Sequence, residues 1–391
     1  MKKSNRVLGI VLVMLIVLLS LGSNASAQTK DSLVFGISAE PIGLDPADVI
    51  DVYSFMPILQ VFDTLVREEK DGSLVPGLAE SWTVSQDRKE IVFKLRENVK
   101  FHNGDVMTAD DVEFSINKAI KSPKTAKITG AISKAVKMDN FSVKLVLKNP
   151  YEPIFSSLSR ANASIVSKRA MEADPKIFGR RPVGTGPYKF VEWINGEKLV
   201  FERFDEYYRG KAPIKNLTFR IFTDTNTAVI ALEKGEIDVL DSPSTGDRDN
   251  LKSNKGLAFH ETASSMFIFL AFNNEKGIFS NEKLRLAVSH AIDRKMIIMG
   301  AADGIGVPLE SPISPSAFGY PAEFKNNPYD LEKAKKLLAE AGYPNGFTVT
   351  LKCTENPTYS KPAEIIQEQL RQIGINVEMV VMEKGAFLAD I

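Results

Sequence analysis

Between residues 78 and 120 the spacing of hydrophobic positions changes period. Trp82 and Val84 alternate with polar neighbours, a polar stretch covers 86–89, and Ile91, Phe93 and Leu95 alternate again. That pattern predicts two strands joined by a turn. Asn103, Gly104 and Asp105 mark a second turn. Beyond it Val112, Ile116, Ala119 and Ile120 recur at helical spacing. Thr108 stands three residues before Asp111, the spacing of a capping box with Asp in place of Glu, so a helix is expected to begin there.

The same reading extends along the chain. A strand from Leu33 runs into a Pro/Gly-rich turn that ends at Pro46, and residues 49–65 mix aromatic and apolar side chains before a loop at 69–72. Val143, Leu145 and Leu147 alternate until Asn149 and Pro150 break the strand. Two glycines and two prolines within 182–188 mark a tightly specified backbone. Phe190, Val191 and Trp193 then lead into Asn195-Gly196, a hairpin signal, with Leu199 and Phe201 on the return strand. A short helix at 225–233 ends before Gly235, and Ile237, Val239 and Leu240 read as a strand. Phe267, Phe269, Ala271 and Phe272 read as an apolar strand ending at Asn273. Ser280 is expected to cap a helix carrying Leu284, Ala287, Ala291 and Ile292. Asp330 caps a helix that ends at Gly342, a strand follows at 347–353, a helix at 362–372 and a strand from Ile375. Strand, helix, strand at that spacing implies a parallel pair, and the fold class is α/β.

The N-terminus changes the picture of location. Lys2, Lys3 and Arg6 precede an apolar run of about 15 residues, short of the roughly 20 that span a bilayer. Ala25-Ser26-Ala27 supplies a small-residue cleavage site, so residues 1–27 read as a secretory signal peptide and the mature chain is expected to begin at Gln28. Cys353 is the single cysteine, so no cysteine stands at the cleavage site to carry a lipid and no internal disulfide can form. An unanchored secreted protein favours a periplasm enclosed by an outer membrane. Cys353 ends the alternating run Phe347, Val349, Leu351 and reads as a buried small hydrophobe. Acidic and basic residues balance at 49 each, which argues against non-specific nucleic-acid binding. At 391 residues the chain is expected to build at least two cores.

No catalytic constellation stands out. His102, His260 and His290 are isolated from one another, without HExxH or paired Cys/His spacing. Ser280 and Lys283 form S-x-x-K, but S-D-N and K-T-G elements do not accompany it, and Ser280 reads more simply as a helix cap. Gly184 and Gly186 lack the third glycine and the Lys-Ser/Thr of a phosphate loop. Adjacent acids such as Asp110 and Asp111 suit a first helical turn. No enzyme activity, metal or cofactor is expected.

The order of these elements carries more than their physics. L-A-E-S-W at 78–82, F-K-L-R at 93–96, F-H-x-G at 101–104 and T-A-x-D-V-x-F-S at 108–115 follow one another. V-G-T-G-P-Y-x-F at 183–190, A-L-E-K-G-E-I-D at 231–238 and R-x-A-x-x-x-A-I-D-R at 285–294 come after them. The set resembles the signature of the peptide/nickel-type extracellular solute-binding proteins, family 5, which feed ABC importers. That resemblance implies a two-lobed periplasmic-binding-protein fold, type II and of the large cluster C form, with mixed sheets and a ligand cleft. It implies lobe I over 28–267, with an inserted α+β subdomain at about 48–180, and a partial lobe II over 268–391. In the family the 267–272 strand is one of the crossings between lobes.

The implied function is capture of a small solute by hinge closure and delivery to permease subunits with their ATPases. Di- or oligopeptides are the first assignment. A nickel chelate, glutathione, an opine or an oligosaccharide is the alternative, as is a periplasmic sensor or chaperone on the same fold. A monomer without nucleic-acid partners is expected. The resemblance places Ile50, Asp51, Val52 and Tyr53 on the ligand side, and Phe267, Phe269 and Asn273 on the inter-lobe strand. Ile50 and Val52 could equally be ordinary core. Peptide-binding relatives anchor the ligand's amino terminus with a W-x-x-D motif, which is expected beyond Ile391, in a tail of about a hundred further residues.

Overall fold

A computed structural model describes residues 30–262, 264, 266–313, 320, 321 and 323–390. The signal peptide expected at 1–27 lies outside the described residues. The described chain divides into two compact units. Residues 30–69 and 73–242 form the first, and residues 70–72 and 243–390 the second. The sequence reading draws its boundary after residue 267.

In the first unit the alternating segments pair as a four-stranded antiparallel sheet. Its strands β4 (Ala79–Val84), β5 (Glu90–Leu95), β6 (Ile132–Asp139) and β7 (Ser142–Leu147) lie in the order β4-β5-β7-β6. Ile91 pairs with Leu145 and Phe93 with Val143, so one face of the sheet is wholly apolar and buried. A helix, Ala109–Lys121, packs Val112, Ile116 and Ala119 into the core that this face lines. Its start follows the expected spacing. The Asp111 carboxylate accepts from the Thr108 backbone N–H at 2.9 Å and from the Thr108 hydroxyl at 3.3 Å. Its other oxygen accepts from Lys168 N–H at 3.0 Å, so the cap also fastens the chain beyond residue 167.

A second, mixed sheet completes this unit. Strand β1 (Ser32–Ile37) runs parallel to β10 (Asn216–Ile221) and to the two-residue β11 (Val239–Leu240). The hairpin expected around Asn195-Gly196 forms as β8 (Tyr188–Ile194) and β9 (Lys198–Arg203), and β9 pairs antiparallel with β10. Helix α1 (Val52–Val61) packs Ile58 and Val61 against the core of this sheet. A short hairpin, β2 (Val66–Glu68) with β3 (Leu74–Pro76), begins just beyond α1.

The second unit contains the expected parallel pair. Strands β12 (Phe347–Thr354) and β13 (Ile375–Met382) pair in register, joined by a helix, Pro357–Arg371. That helix starts one turn earlier than the sequence reading, which takes Pro362 as its start. Asn356 caps it with Pro357 at its first position, and Pro362 is tolerated inside near the N-terminal end. Two further expectations are corrected. The helix Glu282–Ala291 is capped by Asn281, whose side-chain oxygen accepts from Lys283 N–H at 2.9 Å. Ser280 instead donates its hydroxyl to the Gly277 carbonyl and ends a 3-10 turn. The segment 267–272 is not a strand, because no described strand lies beside it to share its backbone hydrogen bonds. Phe272 and Leu270 pack on the second unit's core, while Phe267 and Phe269 point outward. Cys353 is buried and unpaired, and burial raises its thiol pKa. No helix among the described residues is long and apolar enough to cross a membrane.

Candidate functional site

In the first unit the site is the start of α1. Asp51 caps the helix, its Oδ1 accepting from Ser54 N–H at 2.8 Å. Its Oδ2 is buried and has no hydrogen-bond partner among the described residues. Ser54, fully buried, in turn accepts from the backbone N–H groups of Ile42 at 2.9 Å and Gly43 at 3.4 Å. Glu40, just before that segment, accepts from Trp193 Nε1 at 2.8 Å and from Gly196 N–H at 3.2 Å. One serine and one carboxylate thus bind the 40–43 loop to the helix start and to the β8–β9 hairpin.

These constraints hold apolar side chains in solvent. Ile50 is 66% exposed and Val52 57%, so neither is core, and Ile42 is exposed beside them in the chain's path to Ser54. Tyr53 is half-buried and packs against the unit's core. Fixed, exposed apolar groups next to capping polar groups suit contact with a ligand that is itself part apolar.

In the second unit Phe267 is 38% exposed and Phe269 71%, with ring centroids 5.6 Å apart. Asn273 is committed locally. Its Oδ1 accepts from Glu275 N–H at 3.1 Å and Lys276 N–H at 3.0 Å and so forms the turn after the aromatic segment. The structure therefore brings Ile50, Asp51, Val52 and Tyr53 together in the first unit and Phe267 with Phe269 in the second. Ser54 and Ile42 were not singled out in the sequence. The readable signal for Ser54 is its place three residues after Asp51.

Behind this site sits the glycine–proline loop. A Cβ on Gly184 would fall 2.0 Å from the Val61 carbonyl oxygen, and one on Gly186 2.6 Å from the Gln60 oxygen. Only glycine lets the loop lie this close to the end of α1, where Gly186 N–H donates to Val61 O at 2.8 Å. Thr185 donates to Asp63 Oδ2 and Tyr207 to Asp63 Oδ1, each at 3.0 Å. Burial pushes the Asp63 carboxyl up to about 6 despite these bonds. His102 belongs to this packing, with both ring nitrogens turned to the loop backbone, and burial pushes its imidazole down to about 4. His290 is buried with Nδ1 2.7 Å from the Pro328 carbonyl, and His260 is exposed. Among the described residues no group of three or more His, Cys, Asp or Glu side chains is arranged to hold a metal ion.

The comparisons with known proteins agree with this geometry. The pattern of bacterial extracellular solute-binding proteins, family 5, matches residues 73–391. Heme-binding protein A of Haemophilus influenzae is 30% identical over 393 residues, covering 92% of this chain and 72% of that protein. The glutathione-binding protein GsiB of Pectobacterium atrosepticum is 31% identical over 367 residues, covering 93% of this chain and 71% of its own length. The solved structure of the ABC transporter-associated periplasmic binding protein DppA from Helicobacter pylori, in complex with the peptide STSA, superposes with a TM-score of 0.73. It is 31% identical, with 93% of this chain and 77% of that one covered. An α/β architecture of two units, a match across most of the chain and these likenesses show that the protein belongs to the family 5 bacterial extracellular solute-binding proteins.

Proposed function

We propose that this protein is the periplasmic binding component of an ABC importer, and that it captures di- or oligopeptides and hands them to a membrane permease. The likeness over nine-tenths of the chain to a periplasmic binding protein solved with a peptide supports the reading. Exposed Ile50 and Val52, with Phe269 in the second unit, supply apolar contact area of the kind a peptide's side chains need. Closure of the two units about a hinge would bury the ligand and display the surface that the permease recognises. The protein works as a monomer without nucleic acid and without catalysis. Its leader is removed after Ala27, so N-terminal sequencing of the secreted protein returns Gln28 first.

A non-peptide solute is the second reading, favoured by the relative named for heme. A thermal-shift series on the protein separates the two. The series holds dipeptides, tetrapeptides, glutathione, nickel–histidine, an oligosaccharide and hemin. A ligand present at 100 times its Kd adds about 2.7 kcal/mol to stability, a visible shift. A shift with peptides alone supports the peptide assignment. A shift with hemin or another non-peptide alone overturns it.

A further inference from the structure

Two buried titratable side chains in the first unit grip one loop. Residues 183–187 are held on one side by Asp63, which follows α1, and elsewhere by His102, in the turn after β5. Asp63 accepts from the Thr185 hydroxyl at 3.0 Å. The His102 backbone N–H donates to Gly184 O at 2.9 Å, ring Nε2 lies 2.9 Å from Gly186 O, and Nδ1 lies 3.4 Å from Gly184 N. A carbonyl oxygen only accepts and an amide N–H only donates, so this pattern assigns the proton to Nε2 and leaves Nδ1 as the acceptor. Protonating Nδ1 would set two donors against each other.

Other groups crowd the pair. Lys189 of β8 bears on His102, and the Phe204 ring meets the imidazole edge-on at 5.1 Å. Asp63 faces Arg67 of β2, Tyr207 and Tyr208, and the Arg96 guanidinium lies over the Tyr208 ring. None of these reverses the effect of burial. Asp63 holds its proton up to about pH 6, and His102 refuses one down to about pH 4.

We propose that Asp63 and His102 act as a compensating proton couple: both grip the 183–187 loop, and together they keep the first unit's stability level as the medium acidifies. Asp63 titrates higher in the folded chain than at its ordinary 3.8, so its contribution to stability falls as pH rises from about 4 to 6. His102 titrates lower than its ordinary 6.5, so its contribution rises with pH from about 4 to 6.5. Between about pH 4 and 6 folding takes up one proton at Asp63 and gives up one at His102, and the two slopes oppose.

The test is urea unfolding of the full chain from pH 4 to 6.5, for the wild type, Asp63→Asn and His102→Gln. Tryptophan fluorescence reads the first unit, because Trp82 and Trp193, the only tryptophans, both lie in it. Relative to wild type, the unfolding constant of Asp63→Asn should fall as pH rises, and that of His102→Gln should increase, each by up to about tenfold per pH unit. Variants that run parallel to wild type overturn the proposal. Should a substitution prevent folding, NMR titration of the wild type decides. A neutral His102 with its proton on Nε2 and a protonated Asp63 at pH 5 uphold the couple. An imidazolium at 102 or a carboxylate at 63 at that pH overturns it.

Discussion

Replacing Gly184 by Ala tests whether the glycine–proline loop is a close-approach joint. Its backbone is in an ordinary conformation, so the added methyl group is opposed only by its neighbours. Those neighbours are the Val61 carbonyl oxygen at 2.0 Å, Phe62 Cδ1 at 2.6 Å and the Val61 carbonyl carbon at 2.8 Å. Two of the three are backbone at the end of α1, so loop and helix must part by more than an ångström. Overpacking of this kind costs about 1–3 kcal/mol. Straining the Gly186 N–H bond to Val61 O adds about 0.5–1.5 kcal/mol. Reduced freedom of the unfolded chain returns about 0.4–1 kcal/mol. The expected loss is about 2–3 kcal/mol. Gly179→Ala is the control, since its Cβ would meet Asp45 Cβ at an ordinary 3.7 Å, and it should be neutral or stabilising by up to about 1 kcal/mol. Urea unfolding followed by tryptophan fluorescence measures both in the first unit. A Gly184→Ala protein within about 0.5 kcal/mol of its Gly179→Ala counterpart refutes the reasoning.

Other outcomes follow from the same contacts. Gly186→Val places its branched side chain against Gln60 O and Val61, and should lower the melting temperature by several degrees, at about 2–4 °C per kcal/mol for a unit of this size. Asn281→Ala removes a helix cap and should cost about 1 kcal/mol, whereas Ser280→Ala should cost less; equal losses in calorimetry would contradict the capping assignment. Ile50→Ser and Phe269→Ser act on exposed side chains, so the melting temperature should barely move while the ligand-induced thermal shift shrinks. An unchanged ligand shift removes these two residues from the ligand face.

The elements were legible wherever local chemistry decides them. Ile91, Phe93 and Leu95 announce a buried face by alternation alone, Thr108 and Asp111 a helix start by spacing, and Asn195-Gly196 a hairpin. Motif order carried the family, and the match over 73–391 agrees with it. Local signals failed where two adjacent residues compete for one role or where a partner is required. Ser280 and Asn281 both suit a helix cap, and only the turn ending at Ser280 hands the cap to Asn281. Phe267 and Phe269 alternate like a strand, yet a strand exists only beside another, and none is described there. The exposure of Ile50 and Val52 was equally unreadable, because an apolar residue looks the same in sequence whether its neighbours cover it or leave it in solvent. The sequence by itself determined the secondary elements, the glycines of the loop and the family. Tertiary structure alone decided that Asp63, Thr185, Tyr207 and His102, far apart in the chain, meet at that loop. Burial of a charge depends on which distant segments fold around it, and no local pattern encodes that.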